Sequence, residues 1–305
     1  MRGALDPRPD KILHSSDRSP SLGGIAICPP DTQQHASESP ASSPFRRAAQ
    51  VKLGAVTFPV SNGDAASQDQ ESCEVEIDGA RRRIRFHDYE RVYEVPGLYE
   101  RLFRDELGAR SPEVVCELLG EQLEAEGTDA SKLRVLDLGA GNGMVGEELK
   151  RLGVGSVVGV DIIDGARDAA QRDRPEVYDD YLVADLSEPT PEEHARLARH
   201  EFNALVTVAA LGFDDMPPRA FAVAHNLIPR GGWIAFNVKE EFVGDGDTTG
   251  FGAFLRRMVE SGVIEPQARR LHRHRRSITG EPLHYVMVVA TKLADVPLDW
   301  AEPPK

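Results

Sequence analysis

Residues 133–148 read LRVLDLGAGNGMVGEE, and this stretch decides the fold. A short apolar run, Val135 and Leu136, ends in an acid, Asp137. Gly139, Gly141 and Gly143 follow at alternate positions. Met144, Val145, Glu147, Glu148 and Leu149 then take the spacing of an amphipathic helix. Strand, glycine turn and helix make half of a βαβ unit. Glycines without Cβ permit positive φ and let a ligand lie directly on the backbone. A helix that starts there turns its free N–H groups toward whatever occupies the turn.

A glycine turn also serves packing alone in many doubly wound sheets. A second apolar run sharpens the reading: SVVGV at 156–160, closed by Asp161. An acid at the tip of the second strand is well placed to accept hydrogen bonds from a ribose diol. With these residues the chain resembles the class I S-adenosylmethionine-dependent methyltransferases. DLGAGNG at 137–143 resembles the family's first motif and VGVDI at 158–162 its second. The resemblance implies S-adenosylmethionine as cofactor. It implies that Gly139, Gly141 and Gly143 pack against the methionine part and that Asp137 reaches the ammonium. Asp161 would hold the ribose hydroxyls, Ile162 and Leu186 would sandwich the adenine, and Asp185 would accept from its exocyclic amine. The alternative for Asp185 is a cap on the turn that follows it.

From residue 133 onward strands and helices alternate. Strands are expected at 133–138, 156–161, 181–184, 203–210 and 232–238, with helices at 143–152, 164–172, 190–199, 217–228 and 250–261. A basic strand near 267–277 and an apolar one at 284–291 are joined by Thr279, Gly280, Glu281 and Pro282, a hairpin signal. The pattern predicts an α/β fold with a doubly wound, mostly parallel seven-stranded sheet and an antiparallel last strand. This resembles the Rossmann-like methyltransferase arrangement, here expected to be preceded by a small hairpin and helices.

Before that sheet, residues 1–70 are rich in Ser, Pro, Ala, Gln and Asp, with helix-breaking Ser-Pro pairs at Ser19, Ser39 and Ser43. They are expected to be a disordered extension, with structure beginning near Ser72. Residues 71–130 are expected to form a hairpin and helical cap. Glu74 to Ile77 and Arg82 to Phe86 alternate around an Asp78-Gly79 turn. Arg81, Arg82, Arg83 and Arg85 read as a solvated strand face opposite Glu74 and Glu76. Ser111 reads as an N-cap with Pro112 at the first helical position. Tyr89, Tyr93 and Tyr99 either line a lid over the cofactor or are core aromatics. The catalytic domain is expected over 131–295 and a C-terminal tail over 296–305.

Composition narrows the classes of function. The net charge of −14 argues against nucleic-acid binding by bulk electrostatics. The three cysteines are scattered, with no zinc spacing and no disulfide framework. No apolar run is long enough to span a bilayer, and a cytoplasmic location is expected. The basic run at 269–276 reads as an exposed edge strand rather than an RNA-binding surface. His272 and His274 share a face, but no carboxylate or cysteine completes a metal set.

Methyl transfer is an in-line displacement on a reactive sulfonium, so alignment and desolvation supply much of the catalysis. A small-molecule acceptor is expected. The alternatives are a protein acceptor or, against the motif, an NAD-dependent oxidoreductase; Met144 stands where the dinucleotide fingerprint wants its last glycine. Members of the resembled family that methylate amino groups of bases or of glutamine typically carry Asn/Asp-Pro-Pro-Tyr after the fourth strand; none follows it here, so the resemblance disfavours those acceptors. Candidates for a base are Asp214, Asp215 and His225, while Asn237, Lys239 and Glu240 face the same rim of the sheet. Oligomeric state has no signature in the sequence.

Overall fold

A computed structural model of the chain describes residues 51–59, 70–211, 215–243 and 250–302. Three short strands come first: β1 (Leu53–Thr57), β2 (Ser72–Ile77) and β3 (Ala80–Arg85). They pair antiparallel in the order β1-β2-β3. The β2–β3 turn is made by Asp78 and Gly79, both at positive φ, as a tight hairpin demands. Glu74 pairs with Arg83 and Glu76 with Arg81, on the expected solvated face. β1 corrects the expectation that order begins near Ser72. Its Leu53, Val56 and Thr57 pair with β2 and Val56 is buried, which stabilises a strand whose local composition alone would not. The rest of the expected extension, residues 1–50 and 60–69, lies outside the described residues.

The cap continues with α1 (Tyr89–Glu94), a π-helical stretch Glu100–Glu106, and α2 (Ser111–Ala125). Cys73, Val75, Ile84 and Phe86 from the small sheet pack against Val92, Leu98, Leu102 and Leu107, giving the cap its own core. Ser111 does not act as an N-cap. Its hydroxyl is 2.8 Å from His274 Nδ1 instead, and the helix already includes Ser111.

The large sheet is built from β4 (Arg134–Leu138), β5 (Ser156–Asp161), β6 (Asp180–Val183), β7 (Ala204–Thr207), β8 (Trp233–Lys239), β9 (Ile264–Arg276) and β10 (Pro282–Lys292). Its order is β6-β5-β4-β7-β8-β10-β9. β4 to β8 run parallel, and β10 is antiparallel to both β8 and β9. Helices α3 (Met144–Arg151), α4 (Asp164–Asp173), α5 (Pro191–Ala198), α6 (Pro218–Asn226), α7 (Glu240–Val243) and α8 (Phe251–Glu260) connect the strands.

Successive strand residues serve opposite faces, as the pleat dictates. Val135, Val157 and Val206 join the layer with α2 and α3, while Leu136, Val158 and Leu205 join the layer with Phe221, Phe254 and Met258 of α6 and α8. Burial on both faces is why the strands read as continuous apolar runs. The expected 296–305 tail contributes to this core through Val296 and Ala301, and Asn226 holds Val296 by both its amide N–H and its carbonyl.

The basic strand β9 is the edge of the sheet, as expected, but it is not wholly solvated. His274 and Arg275 are buried, and Arg275 pairs with the equally buried Glu71. The amides of Arg110 and Arg276 bond the carbonyls of His274 and Leu107, so the cap covers this end of the edge. An unpaired strand edge is thereby partly closed.

Candidate active site

The parallel strands end along one rim, where ligands of open α/β sheets sit. β4 stops at Leu138, and Gly139, Gly141 and Gly143 follow at φ values of 73°, 53° and 91°. All three lie where side chains are strained. A Cβ on Gly139 would stand 2.9 Å from that of Ala210, and one on Gly141 would stand 2.6 Å from Tyr93 Oη. Gly143 is the N-cap of α3.

The turn is anchored on every side. The amides of Gly139 and Ala140 donate to the Val160 carbonyl at 2.8 and 3.1 Å. The Gly141 amide donates to Asp161 Oδ2 at 2.9 Å, and Tyr181 donates to the Gly141 carbonyl at 2.8 Å. Asn142 donates to Glu100 of the cap at 2.7 Å, and Arg174 bridges Glu100 and Glu147. Tyr181, Glu100 and Arg174 were not legible as part of this turn, because each approaches it from a distant element.

Asp137 is fully buried behind the turn. Tyr178 donates to its Oδ2 at 2.7 Å, while Oδ1 has no protein partner. Burial pushes its carboxyl up to about 7. Such an acid, buried and half-satisfied, is matched by a cationic partner. Asp161 lies at the tip of β5, and its Oδ1 accepts from the Ile163 amide at 3.0 Å. Burial raises its pKa, opposed by the amides it accepts from. Asp185 accepts from the amide and hydroxyl of Ser187 at 2.8 and 2.6 Å, so it does cap the following turn.

Two cavities open on this rim. One is lined by Asp161, Ile162, Asp185, Leu186 and Ala210, which places four of the expected residues around one space. The other spans about 900 Å³, its open mouth included, and is lined by the glycine turn, Phe86, His87, Phe103, His274, Arg275 and Tyr285. Tyr89, Tyr93, Tyr99, Gly139, Ala209, Ala210 and Asp215 border both. Tyr93 stacks between Tyr89 and Tyr99, with ring centroids 6.2 and 5.3 Å apart. The tyrosines therefore form the roof between the two spaces, while also packing as a cluster. Burial pushes the Tyr99 phenol up to about 12 and raises those of Tyr89 and Tyr93, so all three are protonated at neutral pH.

The base candidates separate cleanly. Asp215 is on the rim, where it pairs with His87. Asp214 lies outside the described residues. His225 is not at the site. It sits at the end of α6, fully buried, with its carbonyl bonded by Lys292 at 2.9 Å, and burial lowers its pKa to about 4. Asn237 is buried at the end of β8: its Oδ1 accepts from the amide of Ala209, which sits at a φ of 56°, at 2.6 Å, and its Nδ2 has no protein partner. Lys239 pairs with Glu241, and neither Lys239 nor Glu240 lines the two cavities.

Residues 136–236, from β4 through most of β8, match the family described as a methyltransferase domain. That stretch of the chain is similar to a methyltransferase domain. Similar solved structures are magnesium protoporphyrin IX methyltransferase from Synechocystis with bound S-adenosylmethionine (14% identity, 59% of this chain and 79% of that one, TM-score 0.43), a methyltransferase from Methanosarcina mazei (16%, 56% and 98%, 0.42) and a TehB-like methyltransferase from Corynebacterium glutamicum (22%, 59% and 98%, 0.37). A comparison with curated proteins finds no match. The residues of this rim suit S-adenosylmethionine on two counts: a turn kept free of Cβ atoms, and a buried carboxylate oxygen lacking a partner. Among the described residues no group of His, Cys, Asp or Glu side chains is arranged to hold a metal, and no helix is long and apolar enough to cross a membrane.

Proposed function

We propose that this chain is a methyltransferase that acts on a small-molecule acceptor by in-line displacement. Bound S-adenosylmethionine supplies an electrophilic methyl group; the protein supplies position and dryness. In this reading the backbone at 139–143 packs along the methionine part and Asp137 faces the ammonium. The ribose hydroxyls donate to Asp161, whose two oxygens also accept from the Gly141 and Ile163 amides. Ile162 and Leu186 flank the adenine, and Asp185 keeps one oxygen beyond its Ser187 bonds for the exocyclic amine.

The observation that carries the small-molecule reading is the second cavity. It adjoins the first across Tyr93, Gly139 and Ala210, and the cap roofs it. A space enclosed by aromatic rings with a few polar groups suits a small organic molecule rather than a flat macromolecular surface. Aligning acceptor, methyl and sulfur there converts a two-body encounter into a positioned reaction.

The test is transfer of a deuterated methyl from labelled S-adenosylmethionine into a metabolite extract, read by mass spectrometry. A labelled low-mass product is expected. Label appearing only in protein or nucleic acid would contradict the reading.

A further inference from the structure

His87 follows β3 in the cap and Asp215 follows β7 on the rim, 128 residues apart, yet they meet. His87 Nδ1 lies 3.0 and 2.9 Å from the two carboxylate oxygens of Asp215. Their side chains are 16% and 26% exposed. Both line the second cavity, and Asp215 also borders the first. The pair therefore stands at the junction where acceptor and methyl donor would meet.

We propose that His87 is the general base of the reaction, that Asp215 positions it, and that the acceptor is a neutral phenol. This rests on the small-molecule reading above. A carboxylate only accepts hydrogen bonds, so in the neutral imidazole Nδ1 carries the proton and Nε2 the lone pair. A base oriented by a third group is the recurring device for activating a weak nucleophile.

The surroundings of His87 select the acceptor. Phe86, Tyr89, Phe103 and Tyr285 present ring walls, which suits a planar aromatic body. The Arg275 guanidinium is paired with Glu71, and burial holds His274 neutral by lowering its pKa to about 3. Tyr89, Tyr93 and Tyr99 stay protonated and do not compete as bases. An alkylammonium would have to shed its hydration among aromatic walls, which is costly. A carboxylate acceptor would need no base and would face Asp215. A phenol needs one proton removed, and the pair is built for one proton.

The step balances. A lone pair on the phenol oxygen forms the new C–O bond to the methyl carbon. The C–S bond breaks, and its electron pair stays on sulfur. The phenol proton passes to Nε2 of His87, and the imidazolium is balanced by Asp215 until the proton leaves to solvent.

The experiment uses the full chain, S-adenosylmethionine and a phenol series from 4-methoxyphenol to 4-nitrophenol at pH 8. The parent is expected to methylate the series. His87→Gln should lose roughly 100-fold or more in kcat on 4-methoxyphenol, within the range for a general base, with KM little changed. On 4-nitrophenol, which arrives already ionised, the loss should be below about tenfold, because the base is no longer required. His87→Asn repeats the comparison should the glutamine variant fold poorly. Asp215→Asn should follow the same selectivity across the series, and Asp215→Glu should recover part of the rate. A second readout needs no turnover: 4-nitrophenol bound to the parent without donor should show its phenolate absorbance at a pH where it is protonated in water, and the His87→Gln complex should not. Equal loss across the series, no loss, or a parent that binds S-adenosylmethionine yet methylates no phenol would overturn the proposal. Absence of S-adenosylmethionine binding by the parent would instead overturn the reading beneath it.

Discussion

The backbone amide of Gly141 donates to the carboxylate of Asp161 across 2.9 Å, so the turn after β4 is tied to the tip of β5 by a side chain rather than by the sheet ladder. The same carboxylate accepts from Ile163 at 3.0 Å. One acid thus shapes the floor of the cavity lined by Ile162 and Leu186 and offers the oxygens proposed to hold the ribose.

Asp161→Ala removes both duties. Bonds to a charged group are worth about 1.5–3 kcal/mol each, so S-adenosylmethionine affinity should fall about 100-fold by titration calorimetry. The melting temperature should fall too, because two amides lose their acceptor. Asp161→Asn keeps one acceptor oxygen and should lose less of both.

Gly141 has no room for a side chain. Gly141→Ala places a Cβ at a φ of 53° and 2.6 Å from Tyr93 Oη. The expected cost is about 1–3 kcal/mol of stability from backbone strain and contact. Adding Tyr93→Phe removes the clashing hydroxyl and should recover part of the melting temperature lost. Full recovery would mean that φ is not strained there; none would mean that the hydroxyl is not what the Cβ meets.

Asp137 makes stability depend on pH. Its carboxyl is held near 7 in the fold and near 4 when the chain unfolds. Between those values the folded state holds the extra proton, so stability is greatest at the acid end of this window and declines as pH rises through it. The slope approaches about 1.4 kcal/mol per pH unit, about 4 kcal/mol in all at the upper bound. Melting curves from pH 5 to 8 should show this decline in the parent and not in Asp137→Asn. The variant should be the more stable at pH 8 and should bind S-adenosylmethionine more weakly.

The Arg275–Glu71 pair joins the edge strand to the cap, with side chains 4% and 2% exposed. Removing one partner leaves a buried charge, a loss of about 3–5 kcal/mol. Arg275→Met should show it in chemical denaturation. Adding Glu71→Gln removes the stranded charge while keeping an acceptor for the Ile278 amide, bonded at 2.8 Å. The double variant should therefore be more stable than Arg275→Met alone.

What could be read in the sequence was local. Val135 and Leu136 ending in Asp137, and three glycines at alternate positions, announce strand and turn because period-two burial and positive φ leave marks on neighbouring residues. Pairings between distant residues leave none. His87 and Asp215, Tyr178 and Asp137, and Arg275 and Glu71 are each brought together only by the folded sheet and cap. β1 was missed because its stability comes from β2 rather than from its own composition. His225 is different, since topology does place it: a helix that returns to start the next parallel strand ends away from the rim.

The most direct test of the account is the structure of the full chain with S-adenosylhomocysteine bound. The account predicts the ribose hydroxyls on Asp161, the adenine between Ile162 and Leu186, and the amino-acid end over Gly139 and Gly141. A nucleoside lodged elsewhere, or Asp161 bonded to its backbone amides alone, would contradict it.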